Sequence, residues 1–256
     1  MDVVAEDLPD LDGGDLLERG KLAREQPLGD IDGAFYDGDA RLVHCAINLD
    51  TSANNRVASI DSGIDRARDR GEVLELYAHN PGVTVPISKL DYVLSAARDR
   101  GLAFVTYSDF ARGTWVAPGL ALSFDDTSVT SWLALRPLLD QYGARVTFFV
   151  SRYGAMTDAE RAGLQTLAAD GHDIEAHSVA HLRAPEYVES HGLAAYLRNE
   201  LEPSIEILRS DGFDVHAFAY PFGARTGELD RAIAKRVAVL RSVAFTYDLV
   251  QDPCPR

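Results

Sequence analysis

The chain has 256 residues, 46% of them hydrophobic, and a formal net charge of −15. That length is enough for one large α/β domain with a continuous core. The acidic balance argues against a nucleic-acid partner or an anionic membrane surface, which need a cationic footprint, and no run of 18 apolar residues is present for membrane insertion.

Residues 1–40 are rich in Asp and Gly and are expected to form an irregular acidic arm or connector. Met1-Asp2-Val3-Val4-Ala5-Glu6-Asp7 has neither a basic n-region nor an apolar h-region, so no signal peptide is expected. A processed exported form would read the same. Location therefore stays open between cytoplasmic by default and exported, and oligomeric state is unknown. Cys45 and Cys254 are too few for a disulfide scaffold or a Cys-rich zinc site, and could close one bridge.

From residue 41 to 256 the pattern predicts a single catalytic domain of alternating strands and helices. Strands are expected at 42–48, 73–78, 103–107, 120–124, 145–150, 172–176, 215–220 and 242–247. Helices are expected at 58–70, 88–100, 130–141, 157–170, 191–210 and 226–238. Gly101, Gly143, Gly171 and Gly212 each follow a helical pattern and precede a strand, the place of a positive-φ C-cap. Such alternation with short turns implies a parallel sheet, open or closed. Sites in these folds gather at the C-terminal strand ends. Asp125, Asp126, His177, Pro221-Phe222-Gly223 and His79 all fall there.

Asp125 and Asp126 close the apolar run Ala121-Leu122-Ser123-Phe124. One carboxylate can bind a cation while its neighbour takes a proton from water. His177 and His181 stand four residues apart, which on a helical turn puts both imidazoles on one face toward one cation. Ser178 is placed to orient one imidazole or cap that turn. Two imidazoles, one carboxylate and a free carboxylate are the inventory of a metal hydrolase with an open coordination position. Ala219-Tyr220-Pro221-Phe222-Gly223 is a rigid strand-end loop able to aim the Tyr220 amide at a developing oxyanion. His79, ending Leu76-Tyr77-Ala78-His79, is the natural general acid opposite an Asp base. Tyr77, Trp132, Pro221 and Phe222 are candidates for a substrate-binding wall, and His172 is expected to be structural.

These motifs resemble the polysaccharide deacetylases of carbohydrate esterase family 4, which share a fold with the nodulation-factor oligosaccharide deacetylases. The family's Thr-Phe-Asp-Asp-Gly is similar to Ser123-Phe124-Asp125-Asp126-Thr127. Its His-Ser/Thr-x-x-His is matched in full by His177-Ser178-Val179-Ala180-His181. Its Arg-x-Pro-Tyr/Phe-Gly looks like Ala219-Tyr220-Pro221-Phe222-Gly223. The resemblance implies a distorted (β/α)7 barrel that hydrolyses N-acetyl groups on an amino-sugar poly- or oligosaccharide and releases acetate. It implies Asp125 as base, Asp126, His177 and His181 as ligands of a divalent metal, and the Tyr220 amide on the oxyanion. That metal is most often Zn2+, with Co2+, Ni2+ or Mn2+ as alternatives. Two positions depart from the pattern. Thr127 replaces the Gly, and Ala219 replaces the Arg that pairs with the base, which leaves the tuning of Asp125 open.

The family's Leu-x-x-His or Leu-x-His segment normally follows the other motifs, but here Leu76–His79 precedes them. The resemblance therefore implies a circular permutation, with 41–110 as the family's C-terminal part and 119–256 as its N-terminal part. The strand before Asp50 would then follow strand 242–247 in space, and Asp50 would sit near the place of the family's fourth motif. The rival arrangement is an unpermuted domain with an N-terminal extension and a truncated end. Two other functional readings stand beside the deacetylase: hydrolysis of another C–N bond in a small amide or cyclic imide, and a carbohydrate-binding relic.

Overall fold

The computed structural model describes residues 28–53 and 56–244. Residues 1–27 of the expected arm, positions 245–247 of the last expected strand and Cys254 lie outside the described residues. Cys45 is disulfide-bonded.

Seven parallel strands close into a barrel. They are β2 (Val43–Asn48), β3 (Val73–Ala78), β5 (Gly119–Asp126), β6 (Thr147–Val150), β7 (Asp173–Ala176), β8 (Ala217–Ala219) and β9 (Val239–Val243). Around the barrel the order is β5-β6-β7-β8-β9-β2-β3 and back to β5. Closure runs through the register Val73↔Gly119 to Ala78↔Phe124, and β2 joins β9 through Val43↔Leu240 to Ala46↔Val243. The strand before Asp50 thus follows the last described strand in space, as expected. Two short strands flank the barrel: β1 (Phe35–Tyr36) antiparallel on β3 and β4 (Ala103–Phe104) parallel on β5.

Strand alternation sorts the side chains into two shells. Leu74, Leu76, Leu120, Leu122, Phe124, Phe148, Phe218 and Leu240 join the large core under the helices. The inner shell holds Val73, Ala121, Phe149, Ala217, Ala219 and Val239, with buried Glu75, Glu175 and Arg241 among them. Buried charge inside a barrel must be paired. Glu75 accepts from Tyr107 Oη at 2.7 Å and lies 2.9 Å from His44 Nδ1. Glu175 accepts from Ser108 Oγ and from the amides of His216 and Ala217 at 2.8–3.0 Å.

The outer shell is built by α1 (Val57–Arg70), α2 (Ile87–Asp99), α4 (Val129–Tyr142), α5 (Asp158–Ala169), α8 (Glu202–Ser210) and α9 (Gly227–Ile233). Gly71, Gly101, Gly143, Gly171 and Gly212 all take positive φ after their helices. A further helix, α3 (Tyr107–Arg112), seals the N-terminal end of the barrel. Its Tyr107 and Ser108 amides donate to Thr147 Oγ1 and Asp173 Oδ2, at the starts of β6 and β7. The strand expected to reach 107 stops at Phe104 because Thr106 and Asp109 form a capping box that starts α3.

Three further expectations are corrected. The arm gives way to structure at residue 28: Leu28, Ile31, Ala34 and Phe35 are buried, and Arg66 lies over the Phe35 ring at 3.9 Å. The helix expected over 191–210 is interrupted. α6 (Ala184–His191) ends at Gly192, α7 (Leu193–Tyr196) follows, and residues Leu197–Leu201 are π-helical before α8. Pro203 has no amide to continue the α ladder, so the register slips just before it. The last described strand, Val239–Val243, begins earlier than the expected 242, because Arg241 at an inward position breaks the apolar run that would mark its start.

Candidate active site

Five of the seven barrel strands deliver a site residue at or just beyond their C-terminal ends: Asp50, His79, Asp125 with Asp126, His177 and Phe222. The fold brings Asp126, His177 and His181 together. Asp126 Oδ1 lies 3.0 Å from His181 Nε2 and 3.7 Å from His177 Nε2, and one donor atom from each residue falls within 4.8 Å of the others. Donors bound to one tetrahedral cation at ~2.0–2.2 Å stand ~3.3 Å apart, so the set fits a divalent metal.

The electrostatics agree with that fit. His177 is buried, and burial pushes its pKa down to about 4, keeping the imidazole neutral. Its Nδ1 lies 2.9 Å from the Ala219 carbonyl, which puts the proton there and leaves the Nε2 lone pair facing the cluster. Burial raises the Asp126 pKa, but the His181 imidazole beside it outweighs this and holds the carboxyl at about 2.

The two histidines do not share a helical turn. Residues 177–183 are irregular, and Ser178 and His181 both have positive φ, 66° and 59°. The i, i+4 spacing converges on one point because the loop reverses, with Ser178 Oγ accepting from the His181 amide at 3.0 Å. Among the described residues five non-glycine residues have positive φ, and four of them line this site: Asp126, Ser178, His181 and Phe222. Such conformations cost about 1–3 kcal/mol each and persist where the surroundings impose them.

Asp125 is buried beside this cluster. Its Oδ2 accepts from Arg241 Nη2, while Oδ1 is buried with no hydrogen bond among the described residues. Arg241 is 1% exposed and lies over the Tyr77 and Phe149 rings at 4.9 and 5.0 Å. The missing Arg at Ala219 is thus answered from the neighbouring strand. Sequence reasoning missed Arg241; its signal was an Arg spaced by two from Val239 and Val243 in a strand with apolar residues on both faces.

His79 follows Ala78, which pairs with Phe124, so it lies next to Asp125 across the β3–β5 seam. Its Nδ1 bonds Asp50 Oδ2, its amide donates to Asp50 Oδ1 at 3.3 Å, and Thr84 Oγ1 donates to the same oxygen at 2.8 Å. Burial lowers the His79 pKa, but the Asp50 hydrogen bond and the charges of Asp125, Asp50 and Asp126 raise it further, for a net rise.

Among the other expected residues, Phe222 is 54% exposed, and its ring lies 4.7 Å from that of His181. Tyr77 is half-buried and meets His79 edge-on at 5.6 Å. Trp132 is not a wall: it is fully buried against Phe148, and its Nε1 donates to the His79 carbonyl at 2.9 Å. Pro221 is also buried. The Tyr220 amide is not aimed at a ligand, because it donates to the Arg241 carbonyl at 2.9 Å within the sheet. Gly223 and Ala224 donate back to Tyr220 and Pro221, which leaves the Phe222 amide as the loop donor with no acceptor among the described residues. His172 accepts from the Val146 amide, consistent with a structural role.

Residues 114–239 match the polysaccharide deacetylase family model. The fold is similar to the Streptococcus pyogenes deacetylase PplD, solved in complex with acetate, at 17% identity and a TM-score of 0.52 over 69% of this chain and 92% of that one. It is also similar to IcaB from Ammonifex degensii, at 18% identity and a TM-score of 0.56 over 70% of this chain and 88% of that one. At these identities the likeness is one of fold. The sequence matches no curated protein at a significant level. Residues 114–239, with paired aspartates and spaced histidines at the strand ends of a closed seven-stranded parallel barrel, carry the pattern of the polysaccharide deacetylase family.

Proposed function

We propose that the protein is a metal-dependent hydrolase that removes N-acetyl groups from an amino-sugar poly- or oligosaccharide and releases acetate. The observation that carries this is the convergence of Asp126, His177 and His181 beside a carboxylate, Asp125, with one oxygen unengaged. Asp126, His177 and His181 would hold the cation, with Zn2+ the ion their donor types favour. A cation bound there supplies Lewis acidity, polarising the acetyl carbonyl and acidifying the attacking water. Asp125 Oδ1 accepts the proton from that water, and Arg241 keeps the carboxylate oriented and charge-balanced. The Phe222 amide, in place of the expected Tyr220 amide, is the loop donor left to face the oxygen on which charge develops. His79, held by Asp50, protonates the departing amine, so that water and amide yield acetate and a free amino sugar. Phe222 and Tyr77 are the side chains left to flank the sugar.

The strand order supports a circularly permuted version of the family barrel, in which β2 and β3 complete what β5 to β9 begin. The test of substrate class is acetate release from a panel of N-acetylated chito-oligosaccharides against small amides and cyclic imides. Turnover of oligosaccharides with negligible turnover of small amides is expected. Preference for the small amides would move the activity to another C–N bond, and glycan binding without acetate release would make the domain a binding relic.

A further inference from the structure

Resting on the reading of Asp126, His177 and His181 as metal ligands, we propose that Glu200 is a positioning residue for the metal centre. It sets metal affinity by clamping the loop that carries both histidines.

Glu200 belongs to none of the deacetylase motifs. It lies in the π-helical segment Leu197–Leu201 and is only 5% exposed. Its Oε2 accepts from the Ala180 amide at 2.8 Å, and its main-chain carbonyl accepts from the Val179 amide at 3.2 Å. With the His181 amide held by Ser178 Oγ at 3.0 Å, three consecutive amides between the two histidines are tied, two of them by Glu200. The loop needs these ties because Ser178 and His181 adopt positive φ without being glycine. A buried carboxylate on a backbone amide is a charge-assisted bond, stronger than a neutral one. The π segment has its own logic: an extra residue in the turn re-aims a side chain, and such segments are often found at functional sites. Here the residue re-aimed toward the loop is Glu200. Without its carboxylate the His177–His181 loop loses the Ala180 anchor, and part of the binding free energy of a cation must go into ordering the loop.

The experiment compares Zn2+ affinity of the chelator-stripped full chain by competition with a fluorescent chelator. It uses wild type, Glu200→Met, Glu200→Gln and, as a control on the next helix, Glu202→Ala, which removes a half-exposed pair with Arg236. Glu200→Met keeps volume but removes the acceptor, and should weaken Zn2+ binding about 10–100-fold, the scale for outer-shell ligand partners. Glu200→Gln keeps an acceptor oxygen and should stay within about threefold of wild type. Visible bands of the Co2+-loaded protein should shift for Glu200→Met and not for Glu202→Ala. Wild-type Zn2+ affinity and unshifted Co2+ bands in a folded Glu200→Met would overturn the proposal. If that variant does not fold, Glu200→Asp takes its place, its oxygen withdrawn from Ala180, and unchanged affinity there overturns it equally. Failure of the wild type to bind Zn2+ would instead refute the metal reading beneath it.

Discussion

Replacing Arg241 by Met removes a buried cation from Asp125 while keeping its apolar contacts with Tyr77 and Phe149. Both partners are almost fully buried, at 1% and 3% side-chain exposure, so water cannot replace the lost charge. Breaking such a pair by removing one member costs about 3–5 kcal/mol. At ~2–4 °C per kcal/mol for a protein of this size, the midpoint of thermal unfolding should fall by about 6–20 °C. The double variant Asp125→Asn/Arg241→Met removes both charges and should recover most of that loss, giving a coupling of at least ~2 kcal/mol in the cycle. Acetate release should fall at least ~100-fold in the single variant, because the base loses its fixed orientation. Zn2+ affinity should change little, since Arg241 touches none of the three ligands. Thermal melts, chelator competition and an acetate assay on the four proteins separate these effects. An Arg241→Met protein that melts and turns over like wild type would refute the claim that Arg241 supplies what Ala219 lacks.

Three other perturbations probe the same architecture. Asp50→Asn removes the main support for protonated His79, whose pKa is raised in the native protein. The alkaline limb of kcat/KM, where the general acid loses its proton, should therefore move to lower pH, with ~10-fold or greater loss at neutral pH; an unmoved limb would remove His79 from that role. Phe222→Ala should raise KM for an oligosaccharide by ~3–10-fold with kcat little changed, from loss of an exposed ring beside His181. Phe35→Ala should destabilise the fold by about 3–5 kcal/mol in denaturant titration, because that ring is buried under Arg66. A surface-like cost below ~0.5 kcal/mol would mean that residues 28–36 are not part of the barrel's core.

The sequence carried the barrel strands well where a short apolar run ended in a glycine-capped turn, and poorly where a buried charge interrupted the run. β9 is the clear case: Arg241 inside Val239–Val243 hid the strand and its most consequential residue together. Asp125, Asp126, His177 and His79 were legible because each lies at a strand end where its chemistry is unusual, and His181 because of its spacing from His177. Their geometry was not. The spacing of His177 and His181 fits a helical turn as well as a reversing loop, and the positive φ values of Ser178 and His181 have no glycine to announce them. Trp132 sits near the site in sequence pattern, but only packing shows its ring turned inward against Phe148 with the indole N–H on His79. The Tyr220 amide failed as an oxyanion donor for a reason that is purely tertiary: β9 takes it as a ladder bond.

The most direct test of the central claim measures bound Zn2+ and acetate release from an N-acetylated chito-oligosaccharide for wild type and Asp125→Asn, before and after chelation. One Zn2+ per chain is expected in both proteins, with acetate release by wild type lost on chelation and restored by metal. Asp125→Asn should lose ~10²–10⁴ in rate despite retained metal. Acetate release that survives both chelation and Asp125→Asn would contradict the claim.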